Sequence, residues 1–181
     1  MKKIVFFALL GACTWQMQAQ KFIDRSGEVH FEASMPALEE VAATNKTASA
    51  VLDSNTGDIA TLVLLKGFKF KVPLMEEHFN ENYVESDKFP KAMFKGKLIG
   101  FDASKFNGKG TYEAEGELTL HGVTKHIKVK VVLTKTADGY NATTNFSIKP
   151  EDYNIEIPSV VRNKISESIK ISGKFDLKPK A

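Results

Sequence analysis

Four histidines and their acidic neighbours are the residues of this 181-residue chain best suited to chemistry. His78 follows Glu77, and Glu81, Asn82 and Glu85 recur at helical spacing beyond it. On a helix, His78 with Glu81 or Glu85 could hold a metal ion, although only one imidazole is local. The plainer reading is a charged helix whose wet face is acidic. His121 and His126 flank a tight turn, Gly122-Val123-Thr124-Lys125, and could meet across a hairpin, but no carboxylate in that turn completes a site. His30, between Val29 and Phe31, is expected to face solvent from a strand. No Gly-x-Ser-x-Gly elbow, phosphate-cradling glycine loop, His-Glu-x-x-His or cysteine pair occurs. Without a base–nucleophile pair the residues give catalysis little to work with, and no cofactor is implied.

The aromatic residues say more. Of thirteen phenylalanines, Phe68, Phe70, Phe79, Phe94, Phe146 and Phe175 fall at expected inward or helix-apolar positions. Small residues share those faces: Ala92 and Gly96 with Phe94, and Ala114 and Gly116 with Tyr112. Interleaving large and small inward residues leaves space that a packed core would fill. A barrel of about eight strands can be solid or can hold one small ligand. Both readings stand at this point.

These side chains must be positioned mainly by strands. Period-two alternation recurs in Phe68-Lys69-Phe70-Lys71-Val72, in Tyr112 to Leu120, in Ile127 to Leu133 and in Ile169 to Leu177. Alternation of this kind marks antiparallel strands with one buried face and one wet face. Turn signals lie at Asn55-Thr56-Gly57-Asp58, Asn107-Gly108, His121-Gly122 and Asp138-Gly139. The pattern predicts strands near 28–35, 45–53, 58–72, 91–101, 109–120, 125–135, 139–149 and 165–178. The 58–65 stretch is apolar on both faces, which leaves its register weakly specified. Eight hairpin-connected strands predict an all-β fold, an antiparallel up-and-down barrel in preference to a sandwich. Leu74 to Glu85 predicts one amphipathic helix, with Leu74, Met75, His78 and Phe79 on its apolar side, after Pro73 and before Phe89-Pro90. Met35 to Glu40 could begin a shorter helical turn.

Composition sets the remaining bounds. The chain is 43% hydrophobic and 26% charged, which excludes wholesale disorder, and its length favours one domain. Lys2 and Lys3 precede an apolar run, Ile4 to Ala12, and Met17-Gln18-Ala19 offers a cut before Gln20. This is the layout of a secretory signal over residues 1–19, leaving a domain over 20–181 in the bacterial periplasm or beyond. Leu10-Gly11-Ala12-Cys13 offers an alternative, a lipoprotein anchor through Cys13, the sole cysteine. Without the two leader lysines, 23 basic residues face 22 acidic ones, so a nucleic-acid partner has no electrostatic support. No later run is long enough for an integral membrane helix, and a homodimer is left open. The row Lys125, Lys128, Lys130 and Lys135 is expected to meet Glu113, Glu115 and Glu117 across a strand pair. Asn45-Lys46-Thr47, Asn141-Ala142-Thr143 and Asn145-Phe146-Ser147 match a glycosylation pattern of little weight in a bacterial chain.

Two segments carry a resemblance. Gly116-Glu117-Leu118-Thr119-Leu120-His121-Gly122-Val123-Thr124-Lys125 resembles the Gly-x-Leu-Thr-x-x-Gly-x-Thr-Lys hairpin of the YceI-like family. Met75-Glu76-Glu77-His78-Phe79 with Phe89-Pro90-Lys91-Ala92-Met93-Phe94 resembles its helix and following strand, and Phe146-Ser147-Ile148 with Asp152-Tyr153-Asn154-Ile155 its closing strands. The resemblance implies a secreted, lipocalin-like barrel that binds a hydrophobic lipid, an isoprenoid or quinone-like molecule, and is no enzyme. The ligand-binding residues it suggests, chosen by their facing, are Phe68, Phe70, Met75, Phe79, Phe94, Leu98 and Phe146. His78 is a candidate polar contact at the mouth. The family often has Arg-Asp or Arg-Asn where this chain has Glu76-Glu77, and a Gly-x-Phe segment where it has Ala37 to Val41. If that arginine helps hold a pyrophosphate, its absence favours a neutral isoprenoid, quinone or fatty lipid.

Overall fold

The computed structural model describes residues 20–35 and 40–180. The expected signal segment, Cys13 and most of the Met35 to Glu40 stretch lie outside the described residues. Among the described residues there are nine strands: β1 (Lys21–Ser34), β2 (Ala42–Asp53), β3 (Asp58–Leu64), β4 (Lys69–Phe70), β5 (Lys91–Leu98), β6 (Lys109–Leu120), β7 (Val123–Lys135), β8 (Tyr140–Ile148) and β9 (Ile165–Pro179). All pairings are antiparallel, in the order β1-β9-β8-β7-β6-β5-β3-β2, and β1 also pairs with β2. That last pairing closes an eight-stranded barrel and leaves it without a free edge. Two-residue β4 lies outside the eight and pairs with Ala43 and Thr44 of β2.

The β6–β7 hairpin has the longest unbroken register, twelve paired positions from Lys109↔Thr134 to Leu120↔Val123. His121 and Gly122 turn it with φ of 49° and 74°. Two consecutive positive φ values match the right-handed twist of the flanking strands. On its outer face Lys128 reaches both Glu113 (3.4 Å) and Glu115 (3.3 Å), as the charge pattern predicts, while Lys125 instead pairs with Asp152 at 2.8 Å.

Three expected elements differ. β1 begins at Lys21, seven residues before the predicted start. Phe22 and Asp24 point inward, then register shifts around Gly27 move the inward positions to Val29 and Ala33, so the alternation changes phase mid-strand. A Cβ on Gly27 would lie 2.2 Å from the Phe175 ring. Asp24, buried at the bulge, accepts from Ser26 N (2.8 Å) and Asp176 N (2.8 Å).

The predicted strand 58–72 is broken at a 3₁₀ turn, Leu65–Gly67. There β3 leaves the ladder of β2, and fully buried Asn45 fills the gap. Its Nδ2 donates to Leu64 O (2.8 Å), while its Oδ1 accepts from Thr47 N (2.7 Å) and Thr47 Oγ1 (3.0 Å). This burial gives the Asn45-Lys46-Thr47 match a structural role within the wall.

The predicted helix 74–85 is a six-residue α1 (Pro73–His78) continued by a π-helical turn, Phe79–Tyr83. Val84 N donates to Phe79 O at 2.9 Å, an i+5 bond that rotates the last turn relative to α-helical phase.

Inside, the barrel is divided. Its far end is packed by rings: Phe22–Tyr140 (4.7 Å between centroids), Phe101–Tyr112 (5.4 Å), Phe101–Phe106 (5.8 Å) and Phe106–Tyr140 (5.9 Å). The 99–108 loop carries Phe101 and Phe106 into place. Asp102 holds that loop by accepting from Ser104 Oγ and N, and the Ser104 hydroxyl, with Lys105, brings its carboxyl down to about 2. Leu52, Leu98 and Leu133 are fully buried nearby. Each such side chain contributes about 1.5–3 kcal/mol through burial.

Candidate functional site: an apolar chamber under a helical lid

The other end is hollow. A cavity of about 520 Å³ lies between α1, the ends of β1, β5, β6 and β9, and the irregular 150–164 segment. β1 contributes Val29, Phe31 and Ala33; the broken strand contributes Val63, Leu65, Phe68 and Phe70; β6 contributes Leu118 and Leu120. Ile155 and Ile157 of the irregular segment and Ile165, Ile169 and Ile171 of β9, beside β1, complete the lining. His78, Tyr83 and Lys164 are the polar side chains of the lining. This volume falls within the range of small-ligand sites, which are mostly apolar with a few polar groups.

The lid is seated by rings. Phe79 stacks on Phe31 at 5.4 Å and meets Phe70 (5.2 Å) and Phe68 (5.7 Å) at steeper angles. Phe31 in turn contacts Phe68 (5.2 Å) and Phe70 (5.7 Å) edge-on. The break in β3 therefore has a function: the 3₁₀ turn swings Leu65 and Phe68 inward to form this wall. Glu76 ties α1 to β4 by accepting from Lys69 Nζ and from Phe70 N at 3.3 Å. The Lys69 hydrogen bond holds the Glu76 carboxyl below its ordinary 4.5, against the opposing effect of burial.

A second tie closes the lid's far side. His121, at the hairpin turn, places Nδ1 3.0 Å from Tyr153 O and Nε2 2.9 Å from Glu85 Oε2. Both nitrogens are thus within hydrogen-bond distance of an oxygen acceptor. The Phe89 ring packs edge-on against the imidazole, with centroids 4.5 Å apart. The His121 hydrogen bond lowers the Glu85 carboxyl below 4.5, burial opposes this, and Lys88 assists. His121 and His126 do not meet: His126 pairs with Glu115 at 3.2 Å. His30 bonds Thr44 Oγ1 at 2.9 Å and is half-buried, not free in solvent. Among the described residues no group of three or more His, Cys, Asp or Glu side chains is gathered as a metal site.

Five sequence-selected residues come together on the chamber wall: Phe68, Phe70, Met75, His78 and Phe79. His78 is exposed at the mouth beside Leu74, which is 56% exposed. Phe94 and Leu98 lie deeper, on a separate void of about 120 Å³. Phe146 is half-buried on the inner face of β8 and lines neither space. The small residues divide as well. Ala92 borders the chamber, whereas the space above Gly96 holds the Phe94 ring, whose Cζ would lie 2.8 Å from an added Cβ. Phe31, Ile155, Ile157 and Ile165 belong to the wall but were not selected from the sequence, and Ile169 and Ile171, read as one face of the last strand, were not assigned to a binding site. The signal for Ile155 and Ile157 is their alternation with Asn154, Glu156 and Pro158 in a segment that forms no strand.

A closed antiparallel barrel, packed at one end and hollow under a helical lid at the other, defines a lipocalin-like protein with an apolar internal chamber. The chain belongs to the YceI-like family: the YceI-like domain model matches residues 13–177. A UPF0312 protein of Pseudomonas putida is 24% identical over 161 residues, covering 84% of this chain and 71% of the relative. A UPF0312 protein of Pseudomonas syringae pv. tomato matches to the same extent. Among solved structures, a polyisoprenoid binding domain from Saccharophagus degradans, implicated in plant cell wall breakdown, superposes with a TM-score of 0.76 at 14% identity, over 90% of this chain and 99% of that one. Burkholderia cenocepacia BcnA superposes with a TM-score of 0.69 at 14% identity, over 83% and 94% of the two chains. A Campylobacter jejuni YceI protein does so with 0.64 at 15% identity, over 100% and 99%.

Proposed function

We propose that the protein is a non-enzymatic carrier that holds an isoprenoid-like lipid in its barrel, in the bacterial periplasm or outside the cell. The observation that carries this reading is the 520 Å³ apolar chamber beneath the lid. Burial of an alkyl chain there contributes about 0.8 kcal/mol per CH₂, against the cost of ordering the chain. Strong polar contacts are not needed, which fits a wall whose polar members are His78, Tyr83 and Lys164. The polyisoprenoid-binding neighbour of like fold supports the same ligand class. The layout of residues 1–19 supports export, and Cys13 supplies the anchored alternative. The envelope location and the identity of the lipid belong to the same proposal.

Native mass spectrometry of the protein purified from its own envelope tests the reading. A stoichiometric prenyl lipid or quinone is the expected result. A protein that arrives empty and takes up no added prenol overturns it in favour of a structural barrel. Ala92→Trp, which fills the chamber from a half-buried wall position, should abolish uptake while leaving the fold intact, as judged by circular dichroism.

A further inference from the structure

Between Tyr153 and β9 the chain forms no strand and ends in two consecutive turns, with Val161 N donating to Pro158 O (3.1 Å) and Lys164 N to Val161 O (2.9 Å). These turns sort the side chains. Val161 and Lys164 line the chamber, whereas Val160 and Arg162 lie outside the lining and are exposed. Val160, at 81%, is the most exposed large hydrophobic side chain of the described residues. From the lid side, Val72 and Leu74 border the same cavity and are exposed as well. Residues that line a cavity and still meet solvent mark its mouth, so the 158–164 loop and the start of α1 form the rim of the chamber.

The charges of the loop say what can cover it. From Ile157 to Ser166 the sequence holds two cations, Arg162 and Lys164, and no carboxylate. Neither forms an ion pair among the described residues, whereas Lys69, Lys71 and Lys125 are held by Glu76, Glu40 and Asp152. An exposed aliphatic side chain beside two unpaired cations suits a surface of phosphates over hydrocarbon. We propose that the 158–164 loop docks the chamber mouth on an anionic phospholipid bilayer, with Val160 in the acyl boundary and Arg162 and Lys164 among the phosphates. Glu77 and Glu81, exposed on the lid and outside the lining, are repelled by such a surface, so the contact falls on the loop side. The inference rests on the carrier reading above and goes beyond it: a lipid passes between bilayer and chamber without crossing water when the mouth itself meets the bilayer. One valine and two cations give weak, reversible docking, as a carrier that must leave again requires.

The test is co-sedimentation with vesicles, read as a partition coefficient over a series of lipid concentrations. The protein should partition onto vesicles of phosphatidylcholine with phosphatidylglycerol, three parts to one, more strongly than onto phosphatidylcholine alone, and added salt should remove the difference. Arg162→Ala should lower the coefficient on the anionic vesicles about fivefold, the effect of one cation at such a surface. Val160→Ser should lower it about tenfold, as two methyl groups leave the acyl boundary. Both positions are exposed and outside the lining, so prenol uptake in vesicle-free solution, read by displacement of a fluorescent fatty-acid probe, should be unchanged in both variants. Equal partition onto the two kinds of vesicle, or a coefficient that either variant leaves unchanged, overturns the docking and leaves the carrier reading standing. Self-association of the unmodified protein in sedimentation velocity, lost in V160S, assigns the patch to a second copy and overturns it too. Failure of the unmodified protein to take up prenol without vesicles is the distinct result that removes the carrier reading, and this inference with it.

Discussion

Replacing Asn45 with Ala tests whether one buried amide builds the chamber wall. The side chain is fully buried and makes three hydrogen bonds, donating to Leu64 O and accepting from Thr47 N and Oγ1. N45A leaves the Leu64 carbonyl and the Thr47 amide without these partners. Each unpaired buried group costs about 1–3 kcal/mol, and water can reach the Thr47 side, so a loss of about 2–4 kcal/mol is expected. Urea melts with an unchanged slope would measure it. The loss should be accompanied by weaker prenol binding, because the same amide fixes the 3₁₀ turn that directs Leu65 and Phe68 inward. Asn45→Asp sharpens the argument. A carboxylate still accepts from Thr47 but sets an unprotonated oxygen against Leu64 O, so N45D should be the less stable variant at neutral pH. It should recover part of the loss on acidification, as the protonated carboxyl regains a donor. The reasoning fails if N45A loses less than about 0.5 kcal/mol, the range of an unremarkable surface change.

Further expectations concern the lid and the turns. Glu85 is held below its ordinary 4.5, so the stability it contributes is present above that value and disappears as pH falls through the lowered one. E85Q should flatten that acid limb in melts recorded from pH 6 to pH 2. Gly122→Ala adds a Cβ at a φ of 74° and 2.7 Å from the Phe89 ring; a destabilisation of about 1–3 kcal/mol in urea melts is expected. Gly27→Ala sets a methyl 2.2 Å from the Phe175 ring in the packed interior, and thermal melting should show a loss of comparable size.

Legibility in the sequence followed the regularity of the wall. β6 and β7 alternate without interruption and join at a two-residue turn, so both faces and the charge pairs of Lys128 could be read directly. β1 alternates too, but the bulge at Gly27 reverses its phase, which conceals the half that begins at Phe22. The 58–72 segment failed for another reason. Apolar side chains on both faces specify no register, and the break depends on Asn45, nineteen positions before the Leu64 carbonyl it meets. The lid residues Met75, His78 and Phe79 were legible because helical spacing survives the change from α to π geometry over so short a run. Phe31 was not, since its three ring partners come from β4, the segment before it and the lid. Interior shape is the least legible property: the same large-and-small interleaving fills the barrel at Gly96 and borders a hollow at Ala92.

The departure at Glu76-Glu77 acquires a physical meaning from the lid. Glu76 is turned toward β4, where it bonds Lys69 and the Phe70 amide, and it is therefore engaged in seating the helix. Among the described residues the chamber lining includes no carboxylate, and its lysine is the exposed Lys164. In the proposed carrier a lipid tail would be buried against the isoleucine and phenylalanine walls, and its head would face His78, Tyr83 and Lys164. Burial raises the Tyr83 phenol above its ordinary 10, so it remains a neutral donor across the physiological range. A hydroxyl or quinone carbonyl can accept from such a donor without carrying charge into the barrel. The described lining offers a head few polar partners, which is why the lid, rather than a cluster of charges, is the place to alter first.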